Sequence, residues 1–133
     1  MIYLDSSALM KLVRQEAETD ALRDWLASQS ELPVITSELG RVEVLRAARR
    51  AGSQALTEAR AVIGDIDLVP LDRGVQDLAC EIGDPPLRTL DALHLASALL
   101  LRDEVTAFVA YDARLATAAR AAGLPTTSPS QRR

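Results

Sequence analysis

The chain has 133 residues, 48% hydrophobic and 26% charged, enough for one domain whose core needs neither a disulfide nor a structural metal. A single cysteine, Cys80, permits no intrachain disulfide, and a single histidine, His94, cannot complete a Cys/His zinc cage. Nineteen acidic residues against fifteen basic ones leave a net charge of -4, which excludes a protein that grips nucleic acid by bulk positive charge. Aromatic residues, at 3%, are too sparse for the stacking platforms of many single-strand binders. Lys11 is the only lysine and no glycine-rich loop precedes it, so a phosphate-binding P-loop is absent. No basic leader and no uncharged run of about 18 residues occurs, so a cytoplasmic, reducing setting with no membrane segment is expected.

In chain order, residues 2–4 read as a first buried strand, followed by helices over about 7–15 and 18–29. Residues 34 and 35 read as a second strand, Ser37 as the N-cap of a helix reaching Ala51, and 53–63 as a further helix. A third buried strand is expected over 66–69, and Asp72 marks its change into a helix over 74–82, where Cys80 is expected as a buried packing residue. Pro85 and Pro86 cannot continue that helix, so the next starts with Thr89 as cap and runs to 101, apolar on nearly every side. Residues 107–110 read as the last strand, Asp112 as the cap of a helix over 113–122, and 126–133, chiefly 127–133, as a frayed tail. This alternation predicts a single α/β domain over 1–133, a parallel sheet covered by helices.

Parallel sheets bind ligands at the carboxyl ends of their strands. Asp5 ends the first strand and Asp112 the strand over 107–111, so their carboxylates meet on one rim if those strands are neighbours; taken singly, each is better read as a helix cap. Asp91 lies in the first turn of the apolar helix, where the macrodipole favours an anion but burial demands a partner, either a protein cation or a bound metal. Glu43 shares a stripe with Leu39 and Ala47 rather than with the basic row of Arg46, Arg49 and Arg50; its plain alternative is an i,i+3 pair with Arg46. His94 reads as a hydrogen-bonded core residue, because no nucleophile motif accompanies it that would make a Ser-His-Asp triad.

Together Asp5, Glu43, Asp91 and Asp112 resemble the acidic quartet of the PIN-domain ribonucleases, in particular the VapC toxins of bacterial toxin-antitoxin pairs. The resemblance is carried by Ile2-Tyr3-Leu4-Asp5-Ser6-Ser7-Ala8-Leu9, by Glu43-Val44-Leu45-Arg46-Ala47, by Leu90-Asp91-Ala92-Leu93-His94-Leu95-Ala96 and by Tyr111-Asp112-Ala113-Arg114-Leu115, in that order along almost the whole chain. It implies a PIN-like three-layer α/β fold, with a central parallel sheet of about four or five strands flanked by helices. It also implies a ribonuclease dependent on Mg²⁺ or Mn²⁺, with the four acids as catalytic and metal-holding residues, a cognate VapB-type antitoxin and a homodimer.

The chemistry of the residues is consistent with that implication. Four carboxylates in one pocket repel one another and are stable as anions around a hard cation that selects oxygen ligands. Metal-assisted hydrolysis at phosphorus then needs no histidine or nucleophilic side chain. Ser6 is the candidate for orienting a bound water, although Ser6 and Ser7 also suit a helix start. Arg88, just before the helix of Asp91, and Arg46, in the dense basic cluster of Arg41, Arg46, Arg49 and Arg50, are candidate RNA contacts, with solvated surface residues as the alternative. A receiver-like phosphoacceptor domain fits poorly, since serines follow Asp5 and no lysine occurs late in the chain. The rival reading is a non-catalytic PIN-like module that binds RNA or a protein.

Overall fold

Along the first strand Ile2 and Leu4 face one way and Tyr3 the other, and that alternation assigns two helical layers to the two faces of one sheet. The protein is described here by a computed structural model covering residues 1–131. The elements in order are β1 (Ile2–Leu4), α1 (Ser6–Val13), α2 (Thr19–Ser28), β2 (Val34–Ser37), α3 (Glu38–Ala51), α4 (Ser53–Gly64), β3 (Asp67–Val69), α5 (Arg73–Ala79), α6 (Thr89–Leu99), a short 3-10 turn (Arg102–Glu104), β4 (Ala107–Val109), α7 (Ala113–Ala121) and β5 (Thr126–Thr127). The five strands are parallel, in the order β3-β2-β1-β4-β5. Among the described residues no helix is long and apolar enough to cross a membrane.

On one face Ile2, Leu4 and Val109 pack against Ala8, Leu9 and Val13 of α1, Leu22 of α2, Val44 and Ala48 of α3, and Ala59 and Ile63 of α4. On the other, Tyr3, Ile35, Phe108 and Ala110 meet Leu95 and Ala98 of α6 and Leu115, Ala116 and Ala119 of α7. Each fully buried Leu or Phe contributes about 1.5–3 kcal/mol, so the two central strands β1 and β4 anchor both layers. This is the predicted three-layer α/β architecture with a parallel sheet.

Four local expectations need correction. Thr126 and Thr127 are not frayed: they form β5 beside Phe108 and Val109. The chain stays pinned beyond them, because Ser128 Oγ donates to Ala110 O and Tyr111 Oη donates to Pro129 O at 2.7 Å. A two-residue strand held by backbone bonds carries no apolar signature, and Arg132 and Arg133 of the expected tail lie outside the described residues. The strand expected as buried over 66–69 is an edge strand whose Asp67 and Leu68 are exposed. Cys80 is exposed rather than packed, since α5 buries only Val75 and a position five residues on turns off that stripe. The cap of α6 is Arg88, without a side-chain cap bond, and not Thr89.

Candidate active site

In the sheet β1 has β2 on one side and β4 on the other, so the strand order reverses at β1, and the crevice beyond the carboxyl ends of β1 and β4 is the natural ligand site of such a sheet. Leu4 pairs with Val109, and Asp5 N donates to Val109 O at 3.1 Å, which puts the turns after β1 and β4 side by side. Asp5 caps α1: its Oδ1 accepts from Ala8 N at 2.9 Å and from Ser7 Oγ at 2.6 Å. Ser7 Oγ also accepts from Tyr111 N at 3.0 Å and so ties the two turns together. Asp112 caps α7, with Oδ1 accepting from Arg114 N at 2.9 Å and Leu115 N at 3.0 Å, while Oδ2 lies 3.2 Å from Arg88 Nη2. Capping uses Oδ1 of each aspartate, while Asp112 Oδ2 accepts from Arg88, so both residues cap a helix and also stand on one rim.

Glu43 and Asp91 arrive from α3 and α6. Glu43 Oε1 lies 2.6 Å from His94 Nε2, so its hydrogen-bond partner is the imidazole and not Arg46, which is exposed on α3. Asp91 Oδ2 lies 3.6 Å from Arg88 Nε, an ion pair too long to be a hydrogen bond, and this oxygen is buried with no hydrogen-bond partner. Arg88 thus places one exposed guanidinium against two carboxylates, Asp91 and Asp112. A cavity of about 320 Å³ is lined by Asp5, Glu43, Asp91 and Asp112 together with Ser6, Ser7, Arg88, Thr89 and Leu90. All four predicted acids, Ser6 and Arg88 therefore share one wall, and Arg46 stands outside it. A larger hollow of about 820 Å³ between Leu87 and α7 contains none of the four, so chemistry rather than size selects the site.

The carboxylates sense one another. Burial pushes Asp5 above the usual carboxylate range, against hydrogen bonds from Ser7 and Ala8 and the nearby His94, and the charge of Asp91 pushes it further. Burial also raises Asp91, followed by the Asp112 charge; Arg88 and His94 pull it down, and Glu43 adds to the rise. Among the described residues no three His, Cys, Asp or Glu side chains are gathered closely enough to hold a metal ion, and Arg88 stands between the carboxylates of Asp91 and Asp112. The donors are oxygens only, and Asp91 Oδ2 lacks any partner, so the residues fit a hard divalent cation.

Sequence reasoning placed His94 correctly in the core, at 1% exposure and hydrogen-bonded, but missed its partner. The signal was present, because His94 lies three residues after Asp91 and so on the same face of α6. The hydroxyl engaged with Asp5 is that of Ser7, while Ser6 lines the cavity.

A pocket of four carboxylates beside one arginine, at the switch point of a parallel sheet, places the chain among α/β proteins that bind ligands at this rim. Within that class, the family model for the PIN domain matches residues 2–121. Ribonuclease VapC47 of Mycobacterium tuberculosis (strain CDC 1551 / Oshkosh) is 48% identical over 132 residues, 97% of each chain. The crystal structure of Mycobacterium tuberculosis VapC20, a sarcin-ricin loop cleaving toxin, shares the fold with a TM-score of 0.73 at 19% identity, over 97% of this chain and 100% of that one. A toxin-antitoxin complex from Klebsiella pneumoniae does so at 0.70 and 17% identity, over 99% of this chain and 100% of its own. The chain belongs to the PIN-domain family, among its VapC-type ribonuclease toxins.

Proposed function

We propose that this chain hydrolyses RNA phosphodiester bonds with Mg²⁺ or Mn²⁺ held by Asp5, Glu43, Asp91 and Asp112, and that it acts as the toxin of a toxin-antitoxin pair in the cytoplasm. The observation that carries the reading is the buried, partnerless Asp91 Oδ2 on a wall shared with three other carboxylates. A divalent ion bound there supplies Lewis acidity toward the phosphate and acidifies water. The residues do the rest. The cap bonds lock the carboxylates of Asp5 and Asp112, so little side-chain entropy is lost when their second oxygens take a ligand. Ser6, which lines the same cavity, would orient a water through its hydroxyl. Arg88 balances Asp91 and Asp112; once a cation takes over that role, its exposed fork is free to hold a phosphate. Arg46 would contact RNA farther from the cavity.

The antitoxin reading follows from the same charge distribution, and it is supported by the toxin-antitoxin complex among the structural neighbours. A VapB-type partner that inserts an Arg would satisfy the carboxylates in place of the cation, so inhibition weakens as Mn²⁺ rises. The test of function is incubation of the purified chain with total RNA, with Mg²⁺ or Mn²⁺ and then with chelator. Cleavage that appears with the ion and stops with chelator supports the reading. Tight RNA binding without cleavage would support the non-catalytic module instead.

A further inference from the structure

The Glu43 carboxylate is held from inside the core. His94 Nε2 lies 2.6 Å from Glu43 Oε1, and His94 Nδ1 lies 2.8 Å from Tyr3 Oη. An ionised carboxylate only accepts, so Nε2 donates to Glu43, and in a neutral ring Nδ1 is then left to accept from the Tyr3 hydroxyl. Tyr3 is wholly buried and stacks on Phe108 with centroids 5.1 Å apart and planes 6° apart, so β1 and β4 fix its position.

A second observation concerns the approach of α3 to this pair. A Cβ on Gly40 would collide with Thr36 Oγ1 and stand 3.3 Å from His94 Cε1. Thr36 cannot simply turn away, because its Oγ1 donates to Leu4 O at 2.6 Å. Glycine at this position lets α3 come close enough for the imidazole to reach Glu43, one turn further along the helix.

We propose that Tyr3 and His94 are positioning residues for Glu43, a buried hydrogen-bond relay that fixes one carboxylate oxygen and presents the other to the divalent cation. This rests on the metal-dependent reading above. Partners of this kind set the orientation and basicity of a metal ligand, and their loss costs about 10–100-fold in metal affinity or activity. Tyr3 does not line the cavity, and its hydroxyl connects to Glu43 through His94.

His94 is the only histidine, so its two ring nitrogens are read in a ¹⁵N spectrum without assignment. The relay predicts the Nε2–H tautomer in the metal-free protein, and a shift of Nε2 on addition of Mg²⁺ that Glu43→Gln abolishes. Calorimetry should find Mn²⁺ bound about 10-fold more weakly by Tyr3→Phe, with kcat lowered and KM for RNA unchanged. His94→Gln keeps an N–H donor near the Nε2 position and should retain more affinity than His94→Leu; this pair and the tautomer decide the matter if Tyr3→Phe does not fold. An Nδ1–H tautomer, or unchanged Mn²⁺ affinity in folded Tyr3→Phe beside wild-type protein that binds the ion, overturns the relay alone. Wild-type protein that binds no Mn²⁺ overturns the relay and the metal-dependent reading together.

Discussion

Replacing Asp5 by Asn removes a charge while keeping a helix cap. Asn caps as well as Asp, so the bonds from Ala8 N and Ser7 Oγ to Oδ1 survive, whereas Asp5→Ala loses about 1 kcal/mol of capping. For a chain of this length that loss is worth roughly 4 °C in Tm. The charge acts the other way. Burial raises the folded-state pKa of Asp5, so the folded protein takes up a proton more readily than the unfolded one. The stability this contributes is complete below the ordinary carboxylate range and is lost as pH rises through the raised value. Asn cannot ionise, so Asp5→Asn and wild type should converge in acid, and the variant should be the more stable at neutral pH without metal. Saturating Mn²⁺ reverses the order: at about 100 times its Kd an ion that binds only the folded state adds about 2.7 kcal/mol to wild type. Calorimetric scans in acid and at neutral pH, with chelator and then with Mn²⁺, read all of this. An Asn variant that is less stable than wild type at neutral pH in chelator, or that gains the same Mn²⁺ shift, would refute the reasoning.

Glu43→Gln keeps an acceptor for His94 but loses the charge, so Mn²⁺ affinity should fall at least about 10-fold in calorimetry; unchanged affinity and cleavage would leave Glu43 a structural partner of His94. Arg88→Ala removes the cation lying 3.2 Å from Asp112 and 3.6 Å from Asp91. Mn²⁺ should then bind more tightly, while RNA binding weakens and its logarithmic salt slope shrinks by about 1; a slope left unchanged would take Arg88 out of the RNA contact. Gly40→Ala should cost about 1–3 kcal/mol in urea denaturation through the clash with Thr36 and His94, and an unshifted midpoint would mean that both side chains yield freely.

The sheet and the acidic wall were legible because each rests on a local signal. The apolar runs at residues 2–4 and 107–110 mark the central strands, and an Asp after each marks both a cap and a rim. What local signals cannot convey is which side chains meet across elements. The sequence pattern offered Arg46 as the partner of Glu43 by helical spacing, yet the buried imidazole of α6 wins, since a buried histidine must satisfy both ring nitrogens and an exposed i,i+3 pair is worth only a few tenths of a kcal/mol. Asp91 was open between a protein cation and a metal, and Arg88 does form an ion pair with it at 3.6 Å, though an exposed one that leaves Oδ2 without a hydrogen bond. The edges were less legible for the opposite reason: β3 is exposed and β5 is two threonines joined to β4 by backbone bonds, and neither needs apolar residues to form.

The central claim is that the wall carrying Asp91 holds the cation on which RNA cleavage depends. Its most direct test is single-turnover cleavage of one RNA by wild type and by folded Asp91→Asn across a Mn²⁺ titration, with a chelator control. The account predicts cleavage by wild type that rises with Mn²⁺ and vanishes in chelator, and a rate for Asp91→Asn lower by roughly 100-fold or more. Wild-type cleavage that persists in chelator, or an Asn variant that cuts at the wild-type rate, would contradict it.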